Sequence, residues 1–387
     1  MTRSWRTRLI HPEAGAPAGF QSLAFPTYRG STTLFAGTAQ LHQEWRQDVA
    51  PYGYGLYGTP TTLELAARIA ELEGAAHTFI VPGGQAAIAL VDLAVLASGD
   101  HLLVPESIYG PNRDLANRLL RRLGITVEYY DPLLGAGITG LIRESTRLIW
   151  CESPGSVTME VQDVPAIAAA AHARGVLVAV DNTYAAGVLF DAFAHGADLS
   201  IQALTKYIGG HSDLLLGSVS VRDDQLYEAV GVTHELLGLA ASPDDCSLAL
   251  RGLQTLGIRL DYLEAATLQV ARWLAAQPAI QTVLHPALPS CPGHEVWARD
   301  FTGSASVFSV VFAPDVTQEQ ILATVDHLQF FKIGYSWGGL TSLVTPQFDV
   351  TREVRPYGAR LVRFNIGLED PDDLIADLAG ALAAAMP

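Results

Sequence analysis

Lys206 lies in SIQALTKYIGGHSD (Ser200 to Asp213), after a mostly apolar run and before paired glycines. A buried ammonium is costly unless it is paired or neutralised. One reading is that the lysine stem lies along apolar surface with its head in water, as lysine stems commonly do. The other is that desolvation keeps the amine neutral, which prepares a lysine for Schiff-base chemistry with a carbonyl.

Two neighbours in the chain bear on that choice. Asp181 ends the apolar run VLVAVD, where an unpaired carboxylate is expensive. It is either the N-cap of the next segment or the counter-charge of a buried cation, such as a protonated ring nitrogen. The segment VPGGQAAI reads as strand, glycine turn and helix start. Its glycines either relieve crowding or let the N–H groups of Gly84 and Gln85 face an anion. Thr205 adds a hydroxyl beside the lysine. An anion cradle, a carboxylate and an amine therefore arrive in chain order at successive strand ends. Pyridoxal phosphate needs these three partners: a phosphate site, an acid at the pyridine nitrogen and an amine for the aldehyde.

The elements that would hold these groups alternate. TPTTLELAARIAELEG has helical spacing and ends at Gly74, and AAIALVDLAVLASG and DVPAIAAAAHARG read as further helices. HTFIV, HLLVP, ITVEYY, TRLIWCES, VLVAVDNT, LSIQAL and GSVSV read as strands. This alternation predicts an α/β fold with a mostly parallel sheet and helices on both faces. Ligands in such sheets bind outside the carboxyl ends of the strands, where the three groups fall. Residues 57–252 are expected to form this large cofactor-binding domain. Beyond them, the helical IRLDYLEAATLQVARWLAAQ and the strand-like ASVFSVVF and ARLVRFNIGL predict a smaller α+β domain over 253–387. Residues 1–56, with little periodicity, read as an arm packed on a neighbouring subunit.

The chain has 387 residues, is 49% hydrophobic and 17% charged, and carries a formal net charge of −16. That composition argues for a folded globular protein of two domains and against nucleic-acid binding. Cys151, Cys246 and Cys291 lie far apart, so neither a zinc site nor a disulfide framework is expected, and a reducing cytoplasm fits. No stretch reads as a secretory signal or a membrane span.

Several segments together resemble the Cys/Met-metabolism family of pyridoxal-phosphate-dependent enzymes: ALTKYIGGHSD, its lysine signature, and YGLYGTPT, its Tyr-Gly-Arg-x-Gly-x-Pro-Thr segment. ESPGSVTMEV, DNTYAAGVLF, GYSWGG and LVRFNIGLEDPDDLIADL are similar to the β-lyase branch in particular. The resemblance covers nearly the whole chain. It implies the aspartate-aminotransferase-like fold (fold type I) and a homotetramer of dimers with active sites between subunits. It also implies roles by position. Lys206 would carry the cofactor, Asp181 would pair with the pyridine nitrogen, and Tyr109 would stack on the ring. Gly84, Gln85 and Thr205 would hold the phosphate, with Tyr54 reaching in from the neighbouring subunit. Arg363 would bind the substrate α-carboxylate, and Ser336 and Trp337 would line the substrate pocket. His211 and Asp213 are expected to be structural, and Glu152 and Ser153 receive no catalytic role.

The chain departs from the family pattern twice. Leu56 replaces the arginine of Tyr-Gly-Arg, which crosses the subunit interface to the phosphate, and Ala203 stands where a serine is common. Both changes remove polar contacts to the phosphate. The implied reaction is β-elimination at a carbon–sulfur bond, turning L-cystathionine into homocysteine, pyruvate and ammonia in methionine synthesis. Alternatives are a looser β-lyase acting on cysteine or its S-conjugates, and a γ-lyase or γ-synthase of the same family. A dinucleotide-binding oxidoreductase would be a different class, but G-x-G-x-x-G is missing after the first strand.

Overall fold

The structure of the protein is a computed structural model that describes residues 4–10, 22–41, 46, 52–350 and 357–386. The expected N-terminal arm therefore falls partly outside the described residues. Helix α1 is Trp5–Ile10, and α2 is Pro60–Glu73. Thr59 caps α2 by accepting from the Thr62 N–H, Pro60 opens its first turn, and Gly74 closes it in the left-handed conformation. Each device satisfies or removes a backbone group that a helix end leaves unpaired.

Strands β1 (His77–Val81), β2 (His101–Pro105), β3 (Thr126–Tyr130), β4 (Thr146–Glu152), β5 (Leu177–Asp181), β6 (Leu199–Gln202) and β7 (Gly217–Val221) form one sheet. Their order is β1-β7-β6-β5-β4-β2-β3. The pairs from β3 through β6 are parallel, whereas β7 runs antiparallel to both β6 and β1. Two reversals cancel, so β1 ends on the same edge as β2, β4, β5 and β6. Helices α3 (Gly84–Val95), α4 (Gly110–Arg118), α5 (Val164–His172) and α6 (Asp224–Leu237) cover the faces.

The central strands β2, β4 and β5 are mostly apolar because both faces are buried. Leu103, Ile149, Cys151, Val178 and Val180 pack into one core, while their neighbours Leu102, Leu148, Trp150 and Ala179 pack into another. That alternation is the period-two geometry of a strand between two layers.

Helix α7 runs from Pro243 to Ala275, 33 residues or roughly 50 Å at the α-helical rise. It begins well before the helical stretch expected from sequence and crosses position 252 without a break. Ser242 caps it, and Asp244 and Asp245 complement its positive end. Leu253, Leu256 and Leu260 join the core of the large sheet, whereas Val270, Ala271 and Leu274 join that of the second sheet.

The second sheet holds β8 (Ile280–Leu284), β9 (Val307–Phe312), β10 (Lys332–Ile333), β11 (Leu343–Pro346) and β12 (Leu361–Asn365). Its order is β10-β11-β12-β9-β8, antiparallel except for β10 with β11. Helices α8 (His294–Asp300), α9 (Gln318–His327) and α10 (Pro371–Ala385) complete the chain. Among the described residues, no helix is long and apolar enough to cross a membrane.

Candidate active site

Five strand ends converge on one cavity of about 450 Å³, within the size range of small-molecule sites. Its wall includes Gly83, Gly84 and Gln85 after β1, Tyr109 after β2, Glu152 at the end of β4, Asp181 at the end of β5, and Thr205 and Lys206 after β6. Trp337 and Arg363 close it from the second sheet. The lysine, the carboxylate and the glycine turn that sequence separates are thus neighbours.

The glycine turn has a packing reason and a chemical one. A Cβ on Gly84 would lie 2.7 Å from that of Ala203, so α3 can start this close to β6 only without one. The first N–H groups of α3 have no partner within the helix and the helix dipole is positive there, which favours an anion. The Gln85 amide donates to the Pro111 carbonyl at 3.1 Å, tying the start of α3 to α4. Thr205 Oγ1 donates to the Leu216 carbonyl at 3.1 Å, so its hydroxyl proton is already engaged.

Asp181 is buried, and desolvation raises its pKa. Thr183 opposes that shift with two bonds to Oδ1, from its N–H at 3.0 Å and its hydroxyl at 2.5 Å. Among the described residues, Oδ2 has no protein donor. A carboxylate held this way at a cavity wall is prepared for a cationic N–H.

Burial, then the charge of Arg363, lowers the Lys206 pKa to about 8, with Asp181 pulling the other way. Its Nζ donates to Ser336 Oγ at 2.6 Å and lies 5.3 Å from the Trp337 ring centroid. Lys206 is therefore held inside the cavity and gives up its proton more readily than an ordinary lysine, rather than reaching into water. Arg363, on β12, has its pKa lowered by desolvation and donates to the Ser336 carbonyl at 3.4 Å. Tyr109 N–H donates to Glu152 Oε2 at 2.7 Å. Its phenol is raised first by burial, then by Glu152 and Asp181.

The model for Cys/Met metabolism PLP-dependent enzymes matches residues 6–383. The chain belongs to this family. It is 43% identical to cystathionine beta-lyase MetC of Escherichia coli over 85% of each chain. It is 42% identical to the cystathionine beta-lyase of Salmonella typhimurium, again over 85% of each. The cystathionine gamma synthase of Xanthomonas oryzae pv. oryzae, solved with aminoacrylate and cysteine, superposes with a TM-score of 0.92 at 30% identity. That match covers 100% of this chain and 99% of the other. The fold is accordingly that of the type I pyridoxal-phosphate enzymes, and the cofactor is pyridoxal phosphate.

The cavity fits that cofactor. It offers a helix N-terminus for a phosphate, a carboxylate oxygen open to the pyridinium, an amine of lowered pKa for the aldehyde, and an aromatic side chain on the wall.

Tyr54 and Leu56 stand apart. Neither lines this cavity nor the one that adjoins it. Tyr54 is 49% exposed, and Leu56 borders a small hollow with Tyr57, Phe79 and His234. Ser336 lines the adjoining cavity, and Trp337 lines both. His211 and Asp213 are exposed and line neither.

Two carboxylates escaped sequence reasoning. Glu152 pairs with Asp181 across the β4–β5 ladder and fixes the backbone of Tyr109. Its position at a strand end before Ser-Pro was the available signal. Glu73, at the end of α2, accepts from Asn182 at 3.1 Å, Ser200 at 2.9 Å and the Gln202 amide. It supports the residues beside Asp181 and Ala203 from beneath, and nothing in AELEG announces that role.

Proposed function

We propose that this protein is a carbon–sulfur β-lyase that cleaves L-cystathionine, with water, to homocysteine, pyruvate and ammonia. The observation that carries this reading is a lysine of lowered pKa bonded to Ser336 and flanked by Trp337 and Arg363 in one cavity. The resemblance to cystathionine beta-lyases supports it.

In this reading Arg363 takes the substrate α-carboxylate with its planar fork. The Cα–H bond is then presented to Lys206, whose amine is the general base. Bound pyridoxal phosphate supplies the electron sink for the resulting carbanion. Asp181 holds the proton on the ring nitrogen, and Thr183 holds Asp181. Lys206, once protonated, would be available to return that proton to the departing sulfur. Tyr109, its backbone anchored by Glu152, would lie against the ring, and Trp337 would help to keep water from the reacting carbon. Gly84 and Gln85 hold the phosphate through their N–H groups. Thr205 would join them by turning its hydroxyl from the Leu216 carbonyl to a phosphate oxygen, and Tyr54 would reach in from a neighbouring subunit.

The same reading makes the protein a cytoplasmic homotetramer of dimers serving methionine synthesis. Residues 1–56 form an arm, 57–252 the cofactor domain and 253–387 the smaller domain. Leu236, Ile258 and Leu215, exposed at 79%, 73% and 69%, supply apolar surface for subunit contact. A β-lyase acting on cysteine or its smaller S-conjugates is the second reading, favoured by Leu56 in place of the family arginine.

The test is to mix purified holoenzyme with L-cystathionine and identify the thiol and the keto acid. Homocysteine with pyruvate is expected. Cysteine with 2-oxobutyrate would make the protein a γ-lyase, and cleavage of small S-conjugates alone would select the second reading.

A further inference from the structure

A second cavity of about 800 Å³ adjoins the first and shares Tyr109, Lys206, Trp337 and Arg363 with it. Arg113, on α4 one turn beyond Tyr109, lies on its wall. Several arginines of this chain sit against carboxylates, Arg68 on Glu64 and Arg299 on Asp163 among them. Yet among the described residues neither Arg363 nor Arg113 forms an ion pair. These are the two guanidinium groups of the joined cavities.

The Arg113 side chain is already oriented. Its guanidinium stacks over Tyr129, 4.1 Å from the ring centroid, and Nη2 donates to the Glu106 carbonyl at 2.9 Å. One acceptor leaves most of its five N–H donors for another partner. Stacking fixes the plane of a group whose fork matches a carboxylate. The carboxylates of Glu106 and Asp349 share the same wall. The cavity therefore presents both signs of charge, as an amino-acid terminus does.

We propose that Arg113 binds the second carboxylate of a two-armed substrate while Arg363 binds the first. The preferred substrate class is then a thioether with an amino-acid group at each end, held at its distal end by the same chain that carries Lys206. This inference rests on the β-lyase reading. It would also give the site a cation for a distal carboxylate where Leu56 offers none.

The competing account is that Arg113 is a strut, holding the Glu106 carbonyl at the turn into Tyr109. Steady-state kinetics of the holoenzyme on L-cystathionine and on S-ethyl-L-cysteine, which lacks the distal carboxylate, separate the two. Arg113→Met should raise KM for L-cystathionine about ten- to a hundredfold, the loss of one charged hydrogen bond or two, with little change in kcat. KM for S-ethyl-L-cysteine should not move. Arg113→Lys keeps the charge without the fork and should show a smaller rise, again confined to L-cystathionine. Equal losses on both substrates in either variant, or no loss on either, would overturn the proposal. The products from L-cystathionine test the β-lyase reading separately: a wild type releasing cysteine and 2-oxobutyrate defeats that reading, and the Arg113 effect on KM is still readable.

Discussion

Lys206 Nζ donates to Ser336 Oγ at 2.6 Å, and Ser336 is held with φ at +84°. A serine with positive φ is uncommon and strained, so its surroundings must impose that conformation. Gly338, also at positive φ, donates to Asn365 Oδ1 at 2.9 Å and anchors the turn to β12. Arg363 lies on that strand and donates to the Ser336 carbonyl, so Ser336 links guanidinium and amine. With the amine at about 8 rather than its ordinary 10.5, apo-protein should take up pyridoxal phosphate faster as pH rises, levelling off above about 8. Absorbance-monitored reconstitution between pH 6 and 10, on the order of a pH unit per step, measures the midpoint. A rate still climbing near the ordinary lysine value would contradict the lowered pKa. Borohydride should fix the cofactor to Lys206, and Lys206→Ala should abolish turnover.

Asp181→Asn keeps the shape of the side chain and removes its charge. Thr183 would still donate to Oδ1, so the loop should hold its form. The ring-nitrogen proton would lose its carboxylate, and turnover should fall roughly 10²–10³-fold, as when one preorganised electrostatic partner is deleted. An Asp181→Asn enzyme retaining most of its activity would reduce Asp181 to a turn residue. Cofactor absorbance of the variant separates weak binding from weak catalysis.

The legible part of this site was the part with a one-dimensional signature. Lys206 after an apolar strand, Asp181 at the end of another and Gly83-Gly84 before a helix each break a local pattern, and the edge of a parallel sheet brings such breaks together. The strand segments of the large sheet were readable because burial on both faces keeps them short and mostly apolar, as in HLLVP and LVAVD. The antiparallel course of β7 was not, since GSVSV looks the same in either direction. Arg113 and Glu73 were not legible either. Their roles depend on Tyr129, Gln202 and Asn182, which are distant in sequence. The early start of α7 was missed because PDDCSLALRG has polar residues that are stabilising only in its first turn.

Glu73 gives a prediction about pH and stability. Burial raises its pKa from 4.5 to about 7, against the bonds from Asn182, Gln202 and Ser200, and nearby Asp191 adds to the rise. A group with a raised folded-state pKa contributes stability that is fully present below the unfolded value and lost as pH climbs through the folded one. The holoenzyme should therefore lose stability between about pH 4.5 and 7 through this residue, by an amount on the order of a few kcal/mol. Glu73→Gln removes the titration. Its amide would face donors, so it should start about 1–3 kcal/mol less stable, but its Tm should fall less over that range. Parallel Tm curves for the two proteins would exclude Glu73 as the source.

Leu56→Arg tests the departure from the family. Leu56 borders a hollow with Tyr57, Phe79 and His234, away from the Lys206 cavity of its own chain. In the proposed assembly an arginine introduced there would reach a phosphate across a subunit contact. If the subunits meet as proposed, the new charged contact should stabilise bound cofactor by roughly 1.5–3 kcal/mol, or about one to two decades in Kd. The gain should also depend on association: titrations of apo-protein should show it at concentrations where the oligomer persists and lose it on dilution. A gain present in the monomer would mean the arginine reaches the phosphate within one chain, which the position of Leu56 argues against. No gain in the intact oligomer would mean that the phosphate site is complete around leucine, supplied by the α3 N-terminus and its neighbours. The two substrates used for Arg113 extend the same experiment. An arginine from the neighbouring subunit would add a second cation near the distal carboxylate, so Leu56→Arg should partly restore L-cystathionine binding in the Arg113→Met background.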